Sequence, residues 1–300
     1  MEKVSILHLI TAAKNASPFD VNMAYDAGFD KIMPYTNVTL PDVAGLTQDA
    51  IFSRSPSGVK REAIFIGGRD INLAMQMLDA SKKAMFAPFV CSIFADPSGA
   101  FTTAAAMVAK LEFHLQKKFN EGLTGKTLSV FGATGPVGGC AAIIAAQHGA
   151  KVQLVAHHAI ADFTKKAQDW NAQYQLNIQA VDGSTEEAKQ EALAGSELVL
   201  CAAAAGIQVL SQHYLANAKR LKIVADVNAV PPLGIHGVAV NAEGVIVENT
   251  QMYGIGALAI GQLKYTVQHQ LLKQMLAAEK PQVFDFMAAF SLARELVKIA

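Results

Sequence analysis

Cysteine is scarce: Cys91, Cys140 and Cys201 are the three in 300 residues. The count is odd and no C-x-x-C pair occurs, which excludes a disulfide framework and a thiolate zinc site and fits a reducing cytoplasm. Excess charge of either sign is lacking too. Lys plus Arg is 25 and Asp plus Glu is 25, so no overall charge draws the chain to nucleic acid or to an anionic membrane surface. No apolar run reaches the roughly 18–20 residues of a membrane span. The apolar stretch near the N-terminus is short, interrupted by His8 and followed by no cleavage site, so it reads as a first strand and not as an export signal. His8, His114, His148, His213, His236 and His269 show no metal-ligand spacing such as H-E-x-x-H. No G-x-S-x-G or local Cys/His signature marks a nucleophile. Hydrophobic residues, by contrast, make up 52% of the chain. That is enough for a sizeable core, and the length suits two domains. The expectation is a globular cytoplasmic protein.

Short β-branched runs alternate with amphipathic stretches, the pattern of a parallel sheet covered by helices. Strands are expected at 4–10, 31–34, 63–66 and 89–94, with helices between them. Ser17 followed by Pro18 marks the first helix start. The second helix begins after Thr39, with Pro41 near its first turn. A long helix at 100–119 ends in Lys117 and Lys118, which suit its negative end. A polar connector at 121–126 then opens a new set of βα units, with strands at 128–131, 152–155, 178–180, 198–201 and 223–225. The expected boundary lies close to Gly122, giving a first domain 1–122 and a second domain 123–262. Two closing helices, 255–276 and 281–299, have no strand between them in this reading, and 263–300 returns to cover the first domain.

The strongest local signal is the run Gly132-Ala133-Thr134-Gly135-Pro136-Val137-Gly138-Gly139, where a strand enters a glycine-rich turn that opens a helix. Bare N–H groups and the positive helix end can hold a pyrophosphate, and glycines let the ligand approach the backbone. Gly132, Gly135 and Gly138 read G-x-x-G-x-x-G; in the G-x-G-x-x-G frame, Ala133 replaces the first glycine. The alternative is a tight turn packed for its own sake. At the end of the next strand an acidic residue would bind a ribose 2′-hydroxyl and repel a 2′-phosphate. The chain has His157 and His158 there and no carboxylate before Asp162. These histidines either donate to a phosphate or belong to a surface loop, so NADP is permitted and NAD remains open. Asp226-Val-Asn228-Ala-Val-Pro231-Pro232 follows a strand and lies at the sheet edge where ligands bind in open α/β folds. Lys264 is the one charge in the glycine-spaced apolar stretch from Tyr253, and is either a solvated helix residue or a functional one.

Seven blocks occur in a recognisable order: Ser17-Pro-Phe-Asp20, Pro34-Tyr-Thr-Asn-Val-Thr39, Ile64-Phe-Ile-Gly-Gly68, Phe101-Thr-Thr-Ala-Ala-Ala106, Gly135-Pro-Val-Gly138, Asp226 through Pro232, and Gly254-Ile-Gly-Ala-Leu258 through Lys264. With them the chain closely resembles the bacterial NAD(P)-dependent methylene-tetrahydromethanopterin dehydrogenases of one-carbon metabolism in methylotrophs, from about Ser5 to its end. The resemblance implies an α/β fold, with a Rossmann cofactor domain beside a second α/β pterin-binding domain and a cleft between them. It implies hydride transfer from methylene-tetrahydromethanopterin to NAD(P)+, with NADP or NAD as cofactor. It also implies a small-molecule pterin as partner, no nucleic acid or membrane partner, no metal, and a homo-oligomer. By matching motif, Lys264 corresponds to the active-site lysine. Gly135, Pro136, Val137 and Gly138 correspond to the pyrophosphate loop and Asn228 to a position near the nicotinamide, and Gly132 and Thr134 of the same turn are expected to bind the cofactor with them. Asp20, Thr102 and Thr103 fall in blocks expected around the pterin. The NADP-specific branch carries a basic pair where this chain has His157 and His158, so the chain resembles the branch that uses either cofactor.

Two other readings compete. A methylene-tetrahydrofolate dehydrogenase shares the architecture, but its Tyr and Lys pair on a helix of the first domain has no counterpart, because Phe29 follows Tyr25 four residues on. A non-enzymatic NAD(P)-sensing regulator would bind cofactor without turning over a pterin.

Overall fold

The computed structural model describes residues 4–298. The ends of the first and last expected segments, at 1–3 and 299–300, lie outside the described residues. Along the chain run β1 (Ile6–Ile10), α1 (Pro18–Ala27), β2 (Lys31–Tyr35), α2 (Asp42–Phe52), β3 (Glu62–Ile66), α3 (Ile71–Ala84), β4 (Ser92–Ala95) and α4 (Ala100–Phe119). The glycine turn follows β5 (Thr127–Phe131), and then come α5 (Pro136–Gln147), β6 (Lys151–Ala156), α6 (Ile160–Tyr174), β7 (Gln179–Asp182), α7 (Glu186–Ala194) and β8 (Leu198–Cys201). The remainder comprises α8 (Gln212–Asn217), β9 (Ile223–Asp226), β10 (Glu243–Ile246), β11 (Tyr253–Ile255), α9 (Ala257–Ala277), β12 (Val283–Phe284) and α10 (Phe286–Leu296).

Two sheets result. The first has the order β2-β1-β3-β4-β12 and every pairing in it is parallel. The second has the order β7-β6-β5-β8-β9-β11-β10, parallel except for the β10–β11 edge pair. All residues of β3, β4, β8 and β9 are buried, because helices cover both faces of such sheets and the strands must be apolar throughout. Local signals set the helix ends. Ser17 accepts a hydrogen bond from the Asp20 N–H, Pro18 opens α1, and Gly28 ends it at φ 106°, a left-handed value that suits glycine.

The closing segment differs from expectation. Residues 281–299 are not one helix: β12 stands between α9 and α10 and extends the first sheet beside β4. Its two residues are too few to show a period, and only their partners make them a strand. Gln282 takes its N–H to Ser92 Oγ (3.0 Å) and accepts from Ile93 N–H (2.8 Å), and Phe284 meets Phe94 edge to face. The fourth strand also starts later than 89–94, since Phe86 and Phe89 form an isolated bridge before it. The β10–β11 pair had no strand signal in the sequence reading.

The chain divides by its contacts into two units, one running through Thr102 and adding Tyr265–Ala289, the other comprising Thr103–Lys264 and the chain from Phe290 on. The division falls inside α4 and not at Gly122. Asp96 fixes the first turn of α4 in the first unit, accepting from the Phe101 and Thr102 N–H groups and from Thr102 Oγ1 at 2.6 Å. The polar connector belongs wholly to the second unit, where Glu121 pairs with Lys126 (2.7 Å) and Lys222 (2.6 Å). The tail is shared out likewise. Phe286 packs on Phe101 in the first unit, while Phe290 packs on His148 and Arg294 pairs with Glu112 in the second.

Within the second unit, Glu243 of β10 anchors the rest of α4. It accepts from Lys110 Nζ (2.6 Å) and His114 Nε2 (2.9 Å), both on buried side chains. Gly244 follows at φ +62°, and a Cβ there would lie 2.2 Å from His114 Nδ1. The hydrogen bond from His114, with that from Lys110 and their charges, holds the Glu243 carboxyl down to about 2. Glu243→Gln should therefore cost roughly 1–3 kcal/mol in urea unfolding, the cost of stranding a buried ammonium discounted for the half-exposed carboxylate. Because the folded pKa is depressed, this contribution is complete above pH 4.5 and is lost as pH falls toward 2. The variant's deficit against wild type should shrink over that window.

Candidate functional site

In the second unit the chain leaves β5 toward β6 on one side and β8 lies on the other, so strand order reverses between β5 and β8. Ligands of open α/β sheets bind beyond the strand ends at such a reversal. A crevice of 660 Å³ opens there. Gly132, Thr134 and Gly135 line it after β5, Val155 and His157 at β6, Gly183 after β7 and Ala202–Ala204 after β8.

The glycines of the turn are required by packing. Gly132 sits at φ +75°, and a Cβ there would lie 2.3 Å from the Ala202 carbonyl oxygen. A Cβ on Gly138 would lie 2.5 Å from the Gly132 carbonyl oxygen, and one on Gly139 2.7 Å from the Trp170 ring. The Gly135 N–H closes the turn onto Gly132 O at 3.1 Å. Gly135 precedes α5 without a side-chain cap and Pro136 opens the helix, so the N–H groups of Val137 and Gly138 lack an acceptor within the helix. An uncapped helix start beside bare backbone is a cradle for a pyrophosphate. Thr134 is exposed, and its carbonyl is braced by Lys166 Nζ at 3.1 Å.

The two histidines differ. His157 lines the crevice; His158 meets its ring edge to face, centroids 4.1 Å apart, but does not line it. Burial, then the neighbouring His158 and Lys189, push the His157 pKa below its ordinary value. Asn228 clamps its own loop: its Nδ2 donates to Pro232 O (3.1 Å), and its Oδ1 accepts from Val230 N–H (2.9 Å) and Gly206 N–H (3.3 Å). Asp226 beneath it is buried and accepts from the Asn228 and Ile235 N–H groups, while burial pushes its carboxyl pKa up. Pro136, Val137, Gly138 and Asn228 thus shape walls and turns without lining the crevice itself.

In the first unit, strand order reverses between β1 and β3. A smaller crevice of 260 Å³ lies there, lined by Ala12, Ala13, Gly67 and Gly68 among others. Asp20 and Thr102 stand apart from its lining. Asp20 is buried on α1 and accepts from Gln268 Nε2 of α9 at 3.2 Å. Thr102 is fully buried with its hydroxyl given to Asp96. Thr103, next on α4, is half-buried and falls in the second unit. Lys264 is 9% exposed on α9. It precedes Gln268 by one helical turn, so both side chains leave the same helix face. Asp96-Pro97-Ser98-Gly99 reads in the sequence as a turn feeding the long helix, and Asp96 anchors that helix start; sequence reading passes over Gln268 and Lys189, which carry no local motif.

Strand order, glycine turn and crevice define a two-unit α/β protein whose second unit has the Rossmann-like, dinucleotide-binding architecture. Shikimate 5-dehydrogenase from Listeria monocytogenes, solved with shikimate and NAD, shares this fold at 14% identity, with a TM-score of 0.56 over 98% of this chain and 96% of that one. Quinate dehydrogenase from Corynebacterium glutamicum, solved with NAD, shares it at 12% identity and a TM-score of 0.54, over 99% of each chain. The family model described as methylene-tetrahydromethanopterin dehydrogenase, N-terminal, matches residues 18–98. The NAD(P)-dependent methylenetetrahydromethanopterin dehydrogenase of Methylorubrum extorquens is 45% identical over 292 residues, 97% of this chain and 98% of that protein. The same organism's bifunctional protein MdtA is 34% identical over 281 residues, 93% of this chain and 94% of its own length. The chain belongs to the methylene-tetrahydromethanopterin dehydrogenase family.

Gly138→Ala should weaken NAD(P)H binding at least ~10-fold in a fluorescence titration, since the added methyl must displace the turn backbone or tilt α5. Gly195→Ala, where a Cβ meets nothing within 4 Å, is the control and should bind as wild type. Equal affinities for both variants would show that the turn does not hold the cofactor.

Proposed function

We propose that this protein oxidises methylene-tetrahydromethanopterin to the methenyl form with NAD(P)+ as hydride acceptor, as a step in one-carbon (formaldehyde) oxidation. The observation that carries this reading is a crevice whose turn admits no side chain at Gly132 or Gly138, in a chain 45% identical to an NAD(P)-dependent methylenetetrahydromethanopterin dehydrogenase. Backbone N–H groups of the turn and of the start of α5 would hold the pyrophosphate, with His157 and His158 toward the adenosine end and the Asn228 loop toward the nicotinamide. The nicotinamide, when bound, supplies the carbon that accepts hydride.

The methylene carbon lies between two nitrogens whose lone pairs stabilise the cation left behind. No general base is required, and the protein's work is alignment and exclusion of water. A lysine cation close to that carbon would oppose the developing charge. Lys264 therefore orients the pterin through a charge-assisted hydrogen bond to a ring oxygen or nitrogen. Asp20 and Thr102, expected around the pterin, are buried and held by Gln268 and Asp96, so they support the first unit from within and do not themselves face a ligand. The reading extends to a cytoplasmic homo-oligomer, as the family resemblance implies. Among the described residues no helix is long and apolar enough to cross a membrane. A folate-specific activity is not favoured, because Tyr25 is exposed and Phe29 stands where a lysine would be needed.

Lys264→Ala should cut kcat roughly 10²-fold or more while cofactor affinity changes little. Normal turnover, or loss of cofactor binding alone, would sink this role for Lys264. Methanopterin carries extra ring methyls and a more electron-rich aryl nitrogen than folate. Accordingly, kcat/KM for methylene-tetrahydromethanopterin should exceed that for methylene-tetrahydrofolate at least ~10-fold. Initial NAD(P)H formation with each pterin below KM measures the ratio. Equal rates would remove the substrate assignment, and binding of NAD(P)H without turnover of either pterin would favour a sensor.

A further inference from the structure

The crevice of the second unit contains a cation that the hydride transfer does not need. Lys189, on the first turns of α7, is half-buried in its wall. Its Nζ donates to Val209 O at 3.3 Å and lies 4.9 Å from the centre of the Tyr214 ring. Among the described residues it makes no ion pair. Burial outweighs the attraction of Glu186 and lowers its pKa, as expected for an ammonium held without a paired carboxylate.

Three further observations bear on what this cation faces. The crevice lining contains His157 and Lys189 as titratable groups and no carboxylate. Asp182, at the end of β7, turns to the Ser184 N–H (2.9 Å) and does not line it. Lys189 is near enough to His157 for its charge to oppose protonation of the imidazole, so both side chains address one space beyond the end of β6. With this strand order, the end of the strand after the glycine turn is where the adenosine ribose presents its 2′-substituent. His157 offers a hydrogen bond there. A phosphate dianion needs a cation, and Lys189 has two N–H donors left after Val209.

We propose that Lys189, reaching into the crevice from α7, binds the 2′-phosphate of NADP+ and so lets this chain accept NADP+ beside NAD+, with His157 contributing a hydrogen bond. The proposal rests on reading this crevice as the cofactor site. It moves the phosphate contact from the expected His157–His158 pair to a residue separated from it in the chain by α6, β7 and the first turn of α7.

Equilibrium titration of NADPH and NADH fluorescence tests it without turnover, together with displacement of NADPH by adenosine 2′,5′-bisphosphate and by 5′-AMP. Lys189→Ala should raise the NADPH-to-NADH ratio of Kd values at least ~10-fold, and Lys189→Arg should restore most of it. Lys189→Met keeps the aliphatic stem over Tyr214 and should match the alanine variant in this ratio, which guards against a packing defect. The bisphosphate should lose its advantage over 5′-AMP in both uncharged variants. Added salt should weaken NADPH binding more in wild type than in Lys189→Met. If Lys189→Ala and Lys189→Met shift both cofactors equally, Lys189 touches the adenine or braces the wall, and the proposal is overturned. If the ratio moves in a His157→Ala/His158→Ala variant and not in Lys189→Met, the histidines hold the phosphate, again overturning it. Wild-type protein that binds neither dinucleotide would instead defeat the reading of the crevice.

Discussion

The closeness of two backbone segments at the ends of β5 and β8 governs the second unit. Gly132 turns against Ala202 with no room for a Cβ between them, and Gly138 repeats this against Gly132 one turn into α5. Gly183 does the same at the neighbouring strand, where a Cβ would lie 2.3 Å from Val155 Cγ1. Because each layer rests on the one before, the helix start is brought down onto the sheet edge beside the crevice. The small residues Ala202–Ala204 then leave the opposite wall low enough for a flat ligand to enter. The crevice is the space that this stack of close approaches leaves open.

Net neutrality conceals how the charges are used. Carboxylates at the strand ends and helix starts are turned inward to organise backbone. Asp96 takes the N–H groups of the first turn of α4, and Asp226 those of Asn228 and Ile235. Glu243 accepts from Lys110 and His114 of α4 and so fastens that helix to the edge of the second sheet. α4 begins under the control of Asp96 and ends under that of Glu243, which is why the chain divides within it. With these carboxylates spent on structure, the crevice is left with Lys189 and a reluctant imidazole, an environment that suits a phosphate better than a bare 2′-hydroxyl.

How far the sequence could be read is clearest at individual elements. α1 was legible from Ser17 and Pro18, and α4 from its alanine-rich start and its paired lysines at the end, since caps and dipole partners act within one turn. The glycine turn was legible because φ above zero and bare backbone demand glycine. β12 was not legible: Val283 and Phe284 become a strand only because β4 offers an unpaired edge. The partners of Asp20 and Lys110 were equally hidden, with Gln268 lying 248 residues from Asp20 and Glu243 lying 133 from Lys110.

The sequence by itself determined the order of βα units, the helix starts, the glycine turn and the family, because each is written in neighbouring residues or in ordered blocks. The tertiary structure alone decided the reversal of strand order that opens the crevice, the division inside α4, and the choice of Lys189 over His158 for its wall. Those outcomes depend on which remote segments pack together, and a side chain's role at a ligand site is set by where its helix is docked and not by the residues beside it in the chain.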